Sequence, residues 1–142
     1  MPDGTANEAG IQFPPSQSGK PYIAVFKHRG NGPKQHKSVW RSDIPPAFEY
    51  EIFLSADKLG WECESGHLWG FHDAAQRVLG TQGQRLAKFP CPQNAADSWH
   101  GYPVTTMDHE PSDQPPDVLV EKWIADGNLN RTIGRRIQRN KL

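Results

Sequence analysis

The order of apolar and polar side chains along the chain predicts four short strands. The segments 22–28 and 39–42 are rich in the β-branched and aromatic residues that strands favour. In 48–54 every second residue is apolar and two glutamates lie between them, which is the alternation of a half-buried strand. A further apolar run at 84–89, ended by a proline, predicts a last strand of a small antiparallel sheet.

Helical spacing of the apolar residues is found in two other regions. In 66–79 they recur at intervals of three and four residues, which predicts one amphipathic helix that covers the sheet. Residues 117–142 predict two short helices joined by a turn at Gly127, with Asp117 and Asn130 as N-caps. The predicted fold class is therefore α+β: a small antiparallel sheet packed by one helix, with a C-terminal helical hairpin.

Shifts in composition divide the chain into four stretches. Residues 1–19 are polar and rich in proline and glycine, so they predict a flexible N-terminal arm. The predicted α+β core occupies 20–107. The stretch 108–116 is a linker, and it leads to the helical hairpin with its basic tail at 117–142.

The composition favours a single loop-rich domain with an aromatic core. A chain of 142 residues is long enough to bury one core. Its 13 glycines and 13 prolines favour loops over long elements. Five tryptophans and six phenylalanines bury large areas from few positions, so we expect them to supply much of that core.

The charges are balanced overall but divided into blocks. The formal net charge is zero, so no whole-molecule field attracts nucleic acid or membranes. The segment 20–41 holds six cations and no carboxylate, 43–64 holds six carboxylates and one lysine, and 131–141 holds five cations. Such blocks are either interaction surfaces or faces that neutralise one another in the fold, and the sequence leaves both interpretations open.

Two cysteines, Cys63 and Cys91, do not make a disulfide framework. The N-terminus lacks the pattern of a secretory signal, and no apolar run is long enough to cross a bilayer. We therefore expect a cytoplasmic protein with no membrane contact. Self-association is allowed by the zero net charge, and no motif calls for a cofactor.

A zinc site is the first candidate chemistry. Cys63, His67 and Cys91, with His100, are ligand types of a Cys2His2 site. The intervals between them are looser than those of a zinc knuckle, and free cysteines are often buried as small apolar residues. The sequence therefore favours no metal site and keeps these residues as the weaker alternative.

An enzyme site would have to use the histidines. His72 and Asp73 are adjacent, and His100 is a further group that titrates near neutral pH. No nucleophile elbow, metalloprotease motif or glycine-rich phosphate loop accompanies them. An enzyme acting on a nucleotide or nucleic acid through His72 and His100 is therefore the alternative to a non-enzymatic function.

The last predicted helix carries an arginine ridge. Arg131, Arg135 and Arg139 recur every four residues, on the side opposite Ile133 and Ile137. Guanidinium groups bind phosphate oxygens and carboxylates, so the ridge fits nucleic acid or an acidic protein. The alternative is a docked hairpin whose arginines are solvated or paired with nearby carboxylates.

The turn around Gly101 is the remaining candidate for a binding surface. Trp99, His100 and Tyr102 surround it and form the one aromatic island between residues 90 and 116. Gly101 predicts a positive φ or a close backbone approach, and the aromatic side chains predict either a stacking surface or a lid on the core. We expect a small non-enzymatic adaptor that recognises a protein partner through this turn and a basic surface, with nucleic-acid binding as an alternative.

Overall fold

The computed structural model of the chain describes residues 4–30 and 38–142. Within these residues it contains two three-stranded antiparallel sheets and three α-helices. The first sheet is formed by β1 (Thr5–Ala6), β2 (Gly10–Phe13) and β3 (Tyr22–Val25), and the second by β4 (Leu68–Gly70), β5 (Leu86–Phe89) and β6 (Tyr102–Val104). The helices are α1 (Pro46–Leu59), α2 (Asp117–Ala125) and α3 (Arg131–Gln138). The predicted α+β class is confirmed, but the strands form two sheets where one was expected.

The strand predicted at 48–54 is wrong, because these residues belong to α1. Pro46 is the first helical residue, where its missing N–H costs nothing, and Gly60 ends the helix at a φ of 69°. The buried positions are Glu49, Tyr50, Ile52, Phe53 and Ala56, which recur with a helical period. The alternation that suggested a strand covers only seven residues, and the longer window follows the period of a helix.

The helix predicted at 66–79 is also wrong. Its first part is β4, which is buried on both faces and therefore shows no alternation. Asp73, Ala74 and Ala75 then have φ values of 54°, 53° and 65°, so the chain makes a left-handed turn here. A right-handed helix cannot pass through three such residues.

The remaining strand predictions are met in part. The segment 22–28 forms β3 and continues as a 3₁₀ turn at Phe26–His28, and 84–89 forms β5. The segment 39–42 contributes only the isolated bridge between Trp40 and Gly80. Residues 31–37 of the first basic block lie outside the described residues, as do residues 1–3 of the N-terminal arm.

The N-terminal stretch and the predicted linker both contain regular structure. Residues 4–19 carry β1 and β2, and the ring of Phe13 stacks on Tyr50 of α1 with centroids 4.4 Å apart. In the predicted linker a 3₁₀ turn lies at Pro111–Asp113, and the preceding one at Thr106–Asp108 ends on its first residue.

The C-terminal helical hairpin is present as predicted. Asn130 caps α3, because its Oδ1 accepts the N–H of Ile133 at 2.8 Å. Asp117 is not the N-cap of α2; that position is Pro116, and Asp117 is the first helical residue. Gly134 lets the two helices approach closely, since a Cβ there would lie 2.4 Å from Cδ1 of Ile124.

One continuous apolar core joins both sheets and the three helices, and β1 alone adds no residue to it. Phe53 of α1 contacts Tyr22 of the first sheet and Phe89 of the second, with ring centroids 4.6 and 5.4 Å apart. Trp123 of α2 packs against Trp61 and Phe71, at 5.5 and 5.0 Å. The helix α1 therefore links the two sheets, and the hairpin closes the far side of the second one. None of the helices in the described residues has the length and apolar character needed to cross a bilayer.

Candidate functional site

One face of the second sheet carries a row of three large side chains. Trp69 of β4 pairs with Lys88 of β5, and Lys88 pairs with Tyr102 of β6. Side chains alternate between the faces of a strand, so these three share a face, while Phe89 points to α1 on the other. The ammonium of Lys88 lies 5.2 Å from the ring centroid of Trp69, in a cation–π contact.

The segment Pro111–Val118 forms a wall beside this row. Lys88 Nζ donates a hydrogen bond to the carbonyl oxygen of Ser112, which ties the wall to the sheet. Gln114 Nε2 donates to the carbonyl oxygen of Ile137 at 2.8 Å and ties the wall to α3. The wall is therefore held from both sides.

A tight turn at residues 62–67 forms the opposite side. The N–H of Cys63 donates to the carbonyl of His67 at 3.0 Å, and Gly66 takes a φ of 84° that favours glycine. The ring of His67 accepts the N–H of Cys91 through Nδ1 at 2.9 Å. His67 is thus held as a neutral ring, and burial, followed by the charge of Lys88, lowers its pKa.

Between these two sides lies a groove of about 820 Å³, here called the β4–β5 groove. Its lining consists of Glu62, Cys63, Glu64, Ser65, His67, Trp69, Lys88, Pro111, Ser112, Gln114, Pro116 and Val118. Val118 is 82% exposed, an unusual state for a large apolar side chain. Its volume lies within the range of natural ligand sites.

Ionisable groups cluster at the floor of the β4–β5 groove. Lys88 is only 6% exposed, and burial lowers its pKa, while Asp113 and Cys63 oppose that change. Burial raises the pKa of Asp113, against the effect of Lys88, and burial and Asp113 raise the pKa of Tyr102. These groups shift one another's pKa values, so they lie close enough to interact electrostatically.

The predicted aromatic turn lies mostly inside the protein. Trp99 is 6% exposed, packs against Phe53 at 5.8 Å between ring centroids, and forms a bridge with Tyr22. Gly101 has no positive φ; it makes a close approach, since a Cβ would lie 2.2 Å from Cδ1 of Phe89. Trp99 is thus part of the core and offers no free stacking surface.

His100 and Tyr102 are half-buried beside His28. The ring centroids are 6.3 Å apart for His28 and His100, and 5.1 Å apart for His28 and Tyr102. Burial lowers the pKa of His100, and the charge of Lys27 lowers it further.

The other two residues of the predicted enzyme site lie elsewhere. His72 is exposed and meets Phe48 of α1 edge-on, with centroids 4.8 Å apart. Asp73 is exposed and begins the left-handed turn. His72 and His100 therefore contact different parts of the fold.

The structure brings the predicted cysteine and histidine ligands into one region. Cys63 and His67 share the tight turn, and the Sγ of Cys91 lies 3.7 Å from where a Cβ of Gly66 would be. Nδ1 of His67 already accepts a backbone N–H. Among the described residues, no group of three or more histidine, cysteine, aspartate or glutamate side chains is arranged to hold a metal ion.

The arginine ridge of α3 is partly neutralised within the hairpin. Arg135 Nη1 donates to Glu121 at 2.7 Å and also contacts Gln138. Arg131 and Arg139 are exposed. The ion pair between Arg135 and Glu121 shows that oppositely charged faces of α3 and α2 meet within the hairpin.

Sequence reasoning missed the residues that build the β4–β5 groove. Trp69 was assigned to a helix and Lys88 to a strand without a role, and Val118 was not singled out. One signal was available, because Lys88 lies inside the apolar run of β5, where an unpaired charge is costly.

Comparisons of the chain with models of known protein families, with curated proteins and with solved structures gave no match. What the groove binds therefore has to follow from its own geometry and charge.

Proposed function

We propose that the protein is a non-enzymatic binding module and that its β4–β5 groove takes an extended, cationic segment of a protein partner. The observation that carries this proposal is a groove with an exposed apolar side chain, Val118, beside a rim of carboxylates. A cytoplasmic location belongs to the same proposal, since Cys63 and Cys91 are free thiols.

The apolar part of the groove supports a ligand with apolar side chains. Val118 lines the groove together with Pro111, Pro116 and the ring of Trp69. Covering a valine side chain contributes on the order of 1.5 kcal/mol or more to binding. A small polar ligand would leave this contribution unused.

The charges support a cationic ligand. Glu62 and Glu64 are exposed and line one side of the groove. Asp113 and Asp117 belong to the wall segment on the other side, although neither lines the groove itself. We call these four residues the acidic rim. Lys88 is the one lysine or arginine in the lining, and the carbonyl of Ser112 already accepts its hydrogen bond. The rim attracts lysine and arginine side chains and repels the phosphates of a nucleic acid.

Nucleic-acid binding and an enzyme function, the two alternatives from the sequence, stay predictions and would use other parts of the surface. Nucleic-acid binding would use Arg131, Arg135 and Arg139 of α3, and an enzyme would use His72 and His100. Neither set lines the β4–β5 groove. A partner bound there is compatible with a second contact at α3, where an acidic segment of the same partner fits the two exposed arginines.

Two fluorescein-labelled dodecapeptides test the proposal, one a capped repeat of Lys-Leu-Pro and the other the same repeat with glutamate for lysine. We expect the cationic peptide to bind at least about tenfold more tightly, measured by fluorescence anisotropy. Val118→Ser removes apolar contact without adding charge, so it should weaken binding about tenfold. Glu64→Lys should weaken the cationic peptide about two- to fivefold and strengthen the anionic one.

Matched controls lie on α1, outside the groove. Leu59 is 48% exposed and Glu51 is exposed, so Leu59→Ser and Glu51→Lys repeat the two chemical changes at another site. Both controls should bind the cationic peptide like the unmodified protein. Equal affinity for both peptides, or equal losses in the controls and the groove variants, would contradict the proposal.

A further inference from the structure

We propose that the floor of the β4–β5 groove is a subsite for one acceptor oxygen, a main-chain carbonyl of the bound segment, held by Trp69 Nε1 and Lys88 Nζ. This inference rests on the proposed function and specifies how the groove fixes the position of the segment. It makes Trp69 and Lys88 ligand-contacting residues.

The indole N–H of Trp69 is a donor without an acceptor. Trp69 is 3% exposed, and its Nε1 atom is buried with no hydrogen-bond partner among the described residues. A buried donor that is left unpaired lowers stability, so an acceptor supplied by a ligand recovers that loss. Trp123 also has an unpaired Nε1, but Trp69 lines the groove and Trp123 does not.

Lys88 brings a second donor to the same indole ring, over its face. Its ammonium lies 5.2 Å from the Trp69 ring centroid and carries three N–H donors. In the described contacts it donates to the carbonyl of Ser112, so it retains capacity for another oxygen. A carbonyl oxygen has two lone pairs and accepts from both donors at once.

The acidic rim decides which oxygen is bound. A carboxylate or phosphate would gain from Lys88 but would have to pass Glu62, Glu64 and Asp113. A peptide carbonyl is neutral, and it arrives on the same chain as the lysine and arginine side chains that the rim attracts. The floor therefore binds the main chain of the segment, while the acidic rim binds its lysine and arginine side chains. Because Nε1 is covered in the free protein, binding includes a small local shift of the lining.

Nitrogen-15 NMR of the unmodified protein with the capped Lys-Leu-Pro dodecapeptide tests this inference directly. The indole N–H signal of Trp69 should move downfield as the peptide is added, because a hydrogen bond replaces an unpaired state. The indole signal of Trp123 is the matched control, since that donor is equally unpaired but lies in the core. It should not move.

Two substitutions measure the contribution of each donor. Trp69→Phe keeps an aromatic ring and removes the N–H, and Lys88→Met keeps the length and removes the charge. Each should weaken the cationic peptide about fivefold, and the double variant should lose less than the product of the two, because both donors share one oxygen.

The outcomes separate this inference from the proposed function. If Val118→Ser weakens the peptide while the Trp69 indole signal stays in place and Trp69→Phe binds normally, the groove stands and the oxygen subsite is wrong. If the unmodified protein binds neither peptide, both fail. The NMR titration needs no variant, so it decides the inference even if Trp69→Phe does not fold.

Discussion

Glu49 shows how one residue joins distant parts of this chain. Its carboxylate is fully buried on the first turn of α1, accepts hydrogen bonds from Arg29 at 2.8 and 2.5 Å, and also accepts the hydroxyl of Tyr22. Arg29 lies over the ring of Trp40 and donates to the carbonyl of Ile44. Burial raises the pKa of Glu49 to about 7, although Arg29 and Tyr22 oppose that change.

This raised pKa predicts a pH-dependent stability. Unfolded Glu49 titrates near 4.5 and the folded residue near 7, so between these values the native state holds the proton and the unfolded state has lost it. The free energy of unfolding should therefore fall as pH rises through this window, by up to about 3 kcal/mol. Glu49→Gln removes the titrating group, so the difference between the unmodified protein and this variant should change over pH 4.5–7. Urea denaturation across that range measures it, and a constant difference would contradict the prediction.

Single residues also show how much of the candidate site could be predicted from the sequence. Cys63 and His67 were selected by their chemistry as metal ligands, and they line the groove. Trp69 and Lys88 were not selected, because only the register of β4 against β5 brings them side by side. Trp99 was predicted either to offer a stacking surface or to cover the core, and it lies in the core beside Gly101, whose backbone closely approaches Phe89.

At the scale of elements, the left-handed turn at Asp73–Ala75 is the least expected feature. Three consecutive residues with side chains adopt positive φ, each at a cost of about 1 kcal/mol relative to glycine. Ala75 is fully buried, which indicates that tertiary packing compensates for this strain.

Ala74→Gly should therefore stabilise the protein by about 1 kcal/mol, because glycine adopts the φ of 53° without steric cost. Ala74 is half-buried and its methyl group contributes little apolar area. The control is Ser55→Gly, at an exposed position within α1, which should instead destabilise by roughly 0.5 kcal/mol. Urea denaturation of both variants gives the two signs, and a loss of stability in Ala74→Gly would count against the conformation described for this turn.

An element could be predicted from the sequence when its structure is determined by residues within it and at its ends. The C-terminal hairpin follows from local signals, such as the Asn130 cap and the glycine after α2, and it was predicted. The helix α1 also has local signals, with Pro46 at its start and Gly60 at its end, but a short alternating window outweighed them. The segment 66–79 could not be predicted, because pairing with β5 overrides its helical periodicity.

At the scale of the whole molecule, the hairpin and the two sheets share one core. Trp123 of α2 is fully buried and meets Trp61 and Phe71 edge-on, and those two rings stack on each other. The β4–β5 groove likewise combines the turn at 62–67, strand β5 and the wall at 111–118. Sequence reasoning could name residues of each segment but not bring the three together, since their juxtaposition is set by tertiary packing.

This shared core predicts one cooperative unfolding transition. Far-ultraviolet circular dichroism and tryptophan fluorescence should give coincident urea curves, because the hairpin cannot open without exposing Trp123 and its partners. Trp123→Ala should lower the unfolding free energy by about 3–5 kcal/mol in a single shifted transition. A separate early transition that follows helix content alone would mean that the hairpin folds as its own unit.

The proline in β6 has a consequence for how this protein meets copies of itself. β6 lies at the edge of the second sheet, where an incoming strand could extend the ladder, and Pro103 sits at its centre. Proline has no N–H, so it interrupts the row of donors that intermolecular strand addition requires. Pro103 therefore disfavours the addition of a further strand at the edge next to Tyr102.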